Sequence, residues 1–298
     1  MEPALIFDFS RNHIKAGLSN DELFTPKARV PIFIGRPLVL QYGLVENIHL
    51  KPLMVDDEIA PVQNYLQISR PIENGIIVNE EDTSFLYDYI LDRKLGLSQV
   101  DLKYRKLLMT CPPEDTKKNK TKQCEIIFEK IGLGYLNFES KAKMSLCSST
   151  EESGVVLDSG FDNIYITPIY ENYVINKSIK KLDIGGKHIT DYLIKLLQFN
   201  GFSLIPIVHF DNINEIKEKL CFVSCDLLHD RKLDCETSYY YTELKLPDGF
   251  KISISGEKFE APEILFKPYL INNLNPGIHE LLFDSINVSE TYRLLILI

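Results

Sequence analysis

Ala4-Leu5-Ile6-Phe7-Asp8-Phe9-Ser10 and Gly154-Val155-Val156-Leu157-Asp158-Ser159-Gly160 carry one pattern twice, an apolar run that stops on an aspartate and breaks into a polar turn. A continuous apolar run ending on a carboxylate reads as a buried strand whose C-terminal end presents an acid. Each copy is followed by a second strand-like run, Ile14-Lys15-Ala16-Gly17-Leu18 in the first and Asn163-Ile164-Tyr165-Ile166-Thr167-Pro168-Ile169-Tyr170 in the second. The copies lie about 150 residues apart, one domain's worth of chain, so the expected architecture is a duplicated fold. Two facing hairpins of this kind would clamp a phosphate and its metal ion between two lobes.

Composition sets the class. The 298 residues are 45% hydrophobic and 25% charged, enough to bury a substantial core and too apolar for a disordered chain. No apolar stretch approaches the roughly 18 residues of a membrane span, and the N-terminus lacks a basic-then-apolar leader, so cytoplasm or nucleus is the expected location. A formal net charge of −9 argues against non-specific nucleic-acid binding. The lysine-rich Lys117–Lys122 run has no aromatic or arginine partners nearby and reads as a solvated helix start. The six cysteines are scattered and expected as reduced thiols. Cys221 and Cys225, four apart on an expected helix, lack a second pair to complete a metal site.

Between the copies, Val30–Pro37, the Tyr42-Gly43 region and Leu53–Asp57 read as short strands, with a turn at Pro71–Gly75. Acidic residues 80–82 open an expected helix after Asn79, carrying Phe85, Leu86, Tyr89 and Ile90. Lys106–Cys111 reads as a buried strand closed by Pro112-Pro113, followed by a helix from Lys117 through Ile131. In the second half, Ile189, Tyr192, Leu193, Leu196 and Leu197 share a helix face that closes at Asn200-Gly201. A further helix is expected from about Asn214, carrying Ile216, Leu220 and Val223, then a hairpin about Asp248-Gly249. The alternation indicates an α/β fold with mixed sheets.

Several segments resemble actins in order and rough spacing: Gly35-Arg36-Pro37, Glu73-Asn74-Gly75-Ile76, Leu157–Gly160, Pro168-Ile169-Tyr170-Glu171, Thr190-Asp191-Tyr192-Leu193, Ile216–Cys221, Leu246-Pro247-Asp248-Gly249 and Pro262–Phe266. Leu53-Met54-Val55, Gly256–Glu263, Pro268–Asn272 and Glu280–Phe283 resemble the actin-related branch of the family more than conventional actin. The likeness runs over nearly the whole chain and fades at residues 9–30 and 138–153.

The resemblance implies the actin-type fold, two ribonuclease-H-like lobes around a cleft holding ATP or ADP with Mg or Ca. It places the first lobe at 1–148, with a small strand-rich insertion at about 33–69. The second lobe falls at 149–298, with an insertion at about 185–275. Carried over by position, Asp8 and Asp158 face the metal and its waters and Lys15 reaches the phosphates. Ser159 and Gly160 supply backbone N–H groups, Gly186 lines the cleft floor, and Lys217 and Glu218 contact the adenosine. The implied role is not enzymatic. It is that of a subunit templating branched actin filaments, partnered by actin and an actin-related protein 3-like subunit in a multi-subunit complex. The alternatives are an actin-like scaffold in a chromatin-remodelling or dynein-adaptor assembly, or a superfamily kinase or ATPase.

Departures from the family pattern bear on the nucleotide. The first turn, Phe9-Ser10-Arg11-Asn12-His13, has no glycine; Arg11 either donates to a phosphate or fills the site with its guanidinium. The second turn reads Phe161-Asp162 in place of Asp-Gly. Lys141 and Tyr165 stand where the family orients its attacking water with a glutamine and a histidine, so weakened binding and negligible hydrolysis are expected. The apolar end, Tyr292–Ile298, reads as a strand edge in need of cover, with the family's closing C-terminal segment absent.

Overall fold

The structure, a computed structural model, describes residues 3–10, 12–21, 25–38, 51–73, 76–98, 102–246 and 249–296. Arg11, Tyr42-Gly43, the turn residues Asn74-Gly75, Pro247-Asp248 and the terminal Leu297-Ile298 lie outside them. The chain divides into two compact units, Met1–Glu151 and Glu152–Ile298.

In the first unit, β1 (Leu5–Phe9), β2 (His13–Leu18) and β3 (Ala28–Pro31) form an antiparallel run, and β8 (Lys106–Cys111) and β9 (Tyr135–Ser140) add in parallel on the far side of β1. The sheet order is β3-β2-β1-β8-β9. Parallel neighbours need a helical crossover, and α2 (Lys117–Glu125), widening to a π-type turn over Ile126–Ile131, provides it between β8 and β9. The other covering helix, α1 (Glu80–Tyr89), starts where the sequence indicates: the Asn79 side chain accepts from the Glu81 and Asp82 amides, and Glu80, Glu81 and Asp82 complement the helix dipole. Leu5, Phe7, Ile14, Val30, Leu107 and Met109 of the sheet share one core with Leu86, Tyr87, Ile90, Ile126 and Ile127 of the helices. The Tyr87 hydroxyl, fully buried, donates to Gln123 Oε1 at 2.7 Å and ties α1 to α2.

A smaller antiparallel pair, β4 (Ile34–Pro37) with β5 (Leu66–Ser69), has its own cluster of Met54, Val62 and Leu66. Leu53–Asp57, expected as a strand, makes one bridge, Gly35 with Met54, and then turns into a 3₁₀ turn at Asp56–Glu58. Three acids in a row leave nothing apolar for a sheet face. Arg36 Nη2 meets the buried Asp82 carboxylate of α1 at 2.5 Å, anchoring the pair to the main core. Short β6 (Ile72–Glu73) and β7 (Ile76–Ile77) pair antiparallel.

The second unit opens with β10 (Gly154–Ser159) and β11 (Ile164–Tyr170), antiparallel, with β12 (Tyr173–Val174) and β13 (Lys180–Leu182) both pairing with β11. Helices α4 (Gly186–Phe199), α5 (Pro206–Leu220) and α6 (Leu227–Glu236) follow, then the hairpin β14 (Thr242–Lys245) and β15 (Lys251–Ile254), and last α7 (Ile278–Ile296). Ile164, Ile166, Leu182 and Ile184 pack with Ile264, Ile278 and Leu281. A second cluster joins Leu193, Ile194 and Leu197 of α4 to Ile213 and Ile216 of α5 and to Ile252 and Ile254 of the hairpin.

Four expectations for this unit are corrected. β10 is not a buried strand here: it alternates between half-buried and exposed, and among the described residues only β11 pairs with it. The helix about Asn214 begins eight residues earlier, at Pro206, whose fixed φ and missing N–H suit a first turn. That helix ends at Leu220, so Val223 is off it, and Cys221 and Cys225 do not share a helix; among the described residues no cluster of His, Cys, Asp or Glu could hold a metal. The apolar C-terminal run is helix to Ile296, not strand, and so satisfies its backbone internally.

All six cysteines are thiols, none in a disulfide. Burial pushes the Cys221 thiol up to about 11, whereas Cys147, Cys225 and Cys235 are exposed. Iodoacetamide labelling at about pH 8, followed by mass spectrometry, is therefore expected to modify the exposed three at least tenfold faster than Cys221, since the thiolate is the nucleophile. Equal rates would place Cys221 in contact with solvent.

Candidate functional site

The first carboxylate is held by a neighbour the sequence does not advertise. Asp8, at the end of β1, is half-buried, and its Oδ1 accepts from Thr110 Oγ1 at 2.7 Å on the parallel neighbour β8. Thr110 also accepts from the Phe9 amide at 3.2 Å, locking the strand end. Lys15 sits opposite Asp8 in the antiparallel register, exposed, with Nζ 4.0 Å from Asp8 Oδ2. At that distance and exposure the pair contributes little to stability. Oδ2 and the ammonium face solvent together, an arrangement suited to a hydrated cation and an anion.

The turn beyond Asp8 looks inward. Ser10 N–H and Ser10 Oγ both donate to His13 O at 2.9 Å, the His13 amide returns to Ser10 Oγ at 3.2 Å, and Asn12 O accepts from the Ile32 amide at 2.8 Å. Asn12 Oδ1 is buried without a hydrogen-bond partner.

The second carboxylate repeats the geometry. Asp158 lies opposite Tyr165 in the β10–β11 register, and the turn closes by the same bond, Gly160 N–H to Asn163 O at 3.0 Å against Ser10 N–H to His13 O in the first copy. The Gly160 amide, expected from the resemblance to reach a phosphate, closes its own hairpin in this structure. Ser159 is exposed at the strand end.

The turn then docks on the start of α4. Gly186 N–H donates to Gly160 O at 3.0 Å and Lys187 N–H to Phe161 O at 2.7 Å. Gly185 is where only glycine fits, since a Cβ there would lie 2.6 Å from Phe161 O and 2.7 Å from Asp162 C. Gly186 carries less constraint on that count; its Cβ would meet the movable Lys217 Nζ at 3.2 Å.

From Gly186 a polar network runs to α5. Lys217 Nζ donates to Gly186 O at 3.0 Å and to Asn214 Oδ1 at 2.8 Å; Thr190 Oγ1 lies 3.1 Å from each of the same two acceptors, and its single proton serves one or the other. Asn214 Nδ2 in turn donates to Glu218 Oε1 at 3.0 Å, leaving the Glu218 carboxylate exposed. Burial holds the Lys217 ammonium below the usual lysine range, with Glu218 opposing the shift. The structure thus joins Gly186, Lys217 and Glu218 into one cluster. It adds Thr110, Gly185, Thr190 and Asn214, which the sequence reading missed. Asn214, Lys217 and Glu218 follow the i, i+3, i+4 spacing of one helix face, a signal that was available.

Tyr165 is engaged elsewhere. It lies opposite Asp158 and Lys181, and Lys181 Nζ stands 6.0 Å over its ring. Lys141 is the first residue of α3 (Lys141–Cys147), half-buried.

Comparison with known proteins bears on all of this. The family model described as Actin matches residues 1–214 and 209–293. The chain is 38% identical over 291 residues to actin-related protein 2 of Schizosaccharomyces pombe, covering 97% of this chain and 73% of that one. It is 37% identical over 287 residues to actin-related protein 2 of Saccharomyces cerevisiae, with 96% and 72% covered, and 35% identical over 291 residues to that of Drosophila melanogaster, again with 96% and 72% covered. The chain belongs to the actin family.

Proposed function

We propose that this protein acts as the actin-related protein 2-like subunit of an actin-related protein 2/3 complex, with actin and an actin-related protein 3-like subunit as partners at the cytoskeleton. The observation carrying this reading is the likeness to actin-related protein 2 at 35–38% identity across 96–97% of the chain in three distant organisms. The physical role is templating: two protomer-like surfaces held side by side remove the entropy cost of assembling a nucleus. The test is reconstitution of the chain with the remaining subunits and actin, scored by branch density under fluorescence microscopy. Branches that depend on this chain are expected; failure to enter the complex would overturn the reading.

Nucleotide is proposed as a structural ligand. The residues proposed to contact it are Asp8 and Lys15 in the first unit, and Asp158, Ser159, Gly186, Lys217 and Glu218 in the second. The donor set fits in part. Two half-buried carboxylates suit the oxygen-coordinated waters of Mg or Ca, and the Lys217–Asn214–Glu218 cluster offers both a cation and an acceptor. The first turn fits poorly, because its Ser10 and His13 amides close the turn itself. A bound divalent ion would neutralise phosphate charge; the chain's own residues would orient and hold. Lys217→Met is expected to weaken Mg–ATP binding by calorimetry about tenfold, the size of a hydrogen bond to a charged group. An unchanged affinity would remove Lys217 from the site.

A further inference from the structure

Four residues stand at i, i+3, i+4 and i+7 along one side of a helix: Phe85, Asp88 and Tyr89 on α1, and Asp92 on the π-type turn Ile90–Lys94 that continues it. With Leu53 they line a cavity of about 510 Å³ in the first unit, within the size range of ligand sites. Phe85, Tyr89 and Leu53 are half-buried and pack against the main core, which gives the cavity an apolar floor. Its charges are matched with one exception. Lys51 pairs with Glu58, and Arg93 Nε lies 3.4 Å from Asp92 Oδ2. Lys94, the next cation along, is held by Asp56 at 2.5 Å and Asp57 at 3.1 Å. Asp88 is half-buried, and among the described residues no hydrogen bond or ion pair engages its carboxylate. Burial first, and then the charge of Asp92, hold its carboxyl above the usual carboxylate range. Like charges at i, i+4 destabilise a helix, so Asp88 is a liability that the fold alone does not explain.

We propose that this cavity takes an arginine side chain from a partner polypeptide, its guanidinium on Asp88 and Tyr89 and its methylene stem over Phe85 and Leu53. Charge selects a cation, since Asp88 is the one unmatched charge among the described residues that line the cavity. The floor selects which cation. A compact, strongly hydrated ammonium gains little from apolar walls, and among the described residues no group of three His, Cys, Asp or Glu could hold a metal ion. A guanidinium is planar and weakly hydrated, forks onto a carboxylate and stacks on an aromatic face, while its stem covers hydrocarbon. Tyr89 already takes one cation in this way, with Lys94 Nζ 5.8 Å from its ring centroid. The rim sets the direction of entry. Lys51, Asp92 and Arg93 are exposed there, so the guanidinium arrives from solvent on a chain whose backbone stays at the surface.

The experiment uses the full isotope-labelled chain and acetyl-arginine methylamide, which copies one arginine within a polypeptide, and reads the NMR shifts of the amides of residues 85–93. Saturable shifts are expected with a dissociation constant of about 1–10 mM, the strength open to a single side chain. The citrulline analogue keeps the shape and loses the charge, and is expected to bind about tenfold more weakly; the chain carrying Asp88→Asn is expected to lose about as much for the arginine probe. Guanidinium ion alone, without the stem, is expected to bind about tenfold more weakly as well. The citrulline comparison uses the unaltered chain, so it stands even where Asp88→Asn disturbs the fold. Any of four results would overturn the proposal: no shift up to about 20 mM acetyl-arginine methylamide, the result also given if another part of the chain fills the cavity; equal binding of the citrulline analogue; equal binding of guanidinium ion, showing a cation site only; or shifts of residues 85–93 that follow protein concentration alone, showing that a second copy fills the cavity. The readout needs neither nucleotide nor other subunits, so the outcome is independent of the function proposed above.

Discussion

Phe7→Ala is expected to destabilise the first unit by about 3–5 kcal/mol, the range for emptying a fully buried aromatic site. Phe7 is 0% exposed in the middle of the central strand, with its ring 5.8 Å from that of Tyr87 and 6.3 Å from that of Phe9, both edge-on. Removing it takes away the transfer term, two aromatic contacts and the packing that seats α1 on the sheet. Collapse around the hole is restricted, because Phe7 is clamped between Ala16 and Met109 on its two paired neighbours and protein interiors relax only partly about a cavity. Ile6→Ala is the matched control. Ile6 is 36% exposed on the opposite face of the same strand, so its loss is expected to cost about 1 kcal/mol or less. Urea unfolding followed by circular dichroism reads both. Comparable losses at positions 6 and 7 would show that the two faces of β1 are not distinguished by burial. Because Asp8 is the next residue on that strand, the Phe7 variant is also expected to loosen the Asp8–Thr110 hydrogen bond.

The contrast between Ile6 and Phe7 shows what a linear reading supplies. The carboxylate-tipped runs at Asp8 and Asp158 are legible because strand formation and termination are local: β-branched and aromatic residues followed by a polar turn. Local signals likewise place α1, through its Asn79 cap, and α2, through Thr116, whose hydroxyl accepts from the Asn119 amide. Position within a sheet is not local. The run Gly154–Leu157 is as apolar as Ala4–Phe7, yet β1 has a strand on both sides and β10, among the described residues, on one; the difference lies in β8, a hundred residues from β1 along the chain. The C-terminal Tyr292-Arg293-Leu294-Leu295-Ile296 reads as strand from its apolar run but is helix, continuing the preceding turns of α7, where Ile278, Leu281 and Ser285 are buried at helical spacing. In the candidate site the charged residues were legible as types. Their supports were not, because Thr110, Thr190 and Gly185 act through contacts that only folding creates.

Single-turnover hydrolysis of labelled ATP by this chain is expected to run about 10²–10⁴-fold below that of a conventional actin, the usual contribution of a positioned proton-transfer group. The argument rests on two side chains. By the resemblance to actins, Tyr165 stands where the family has an imidazole; a phenol, with an ordinary pKa near 10, stays protonated at neutral pH and takes up no proton from water, and Lys181 Nζ lies 6.0 Å over the Tyr165 ring. By the same resemblance, Lys141 stands where the family has a neutral amide, which both donates and accepts; an ammonium only donates, so it cannot accept from a water and aim that water's lone pair. Restoring the amide alone leaves the phenol, and restoring the imidazole alone leaves the donor-only ammonium, so each single change is expected to recover little. Lys141→Gln combined with Tyr165→His is expected to raise turnover by at least about tenfold, with coupling between the two sites visible in the double-mutant cycle. Mg–ATP affinity, measured separately by calorimetry, is expected to be the same in the double variant, which separates a change in chemistry from a change in occupancy. Turnover by the unaltered chain at the rate of a conventional actin would show that neither residue limits hydrolysis.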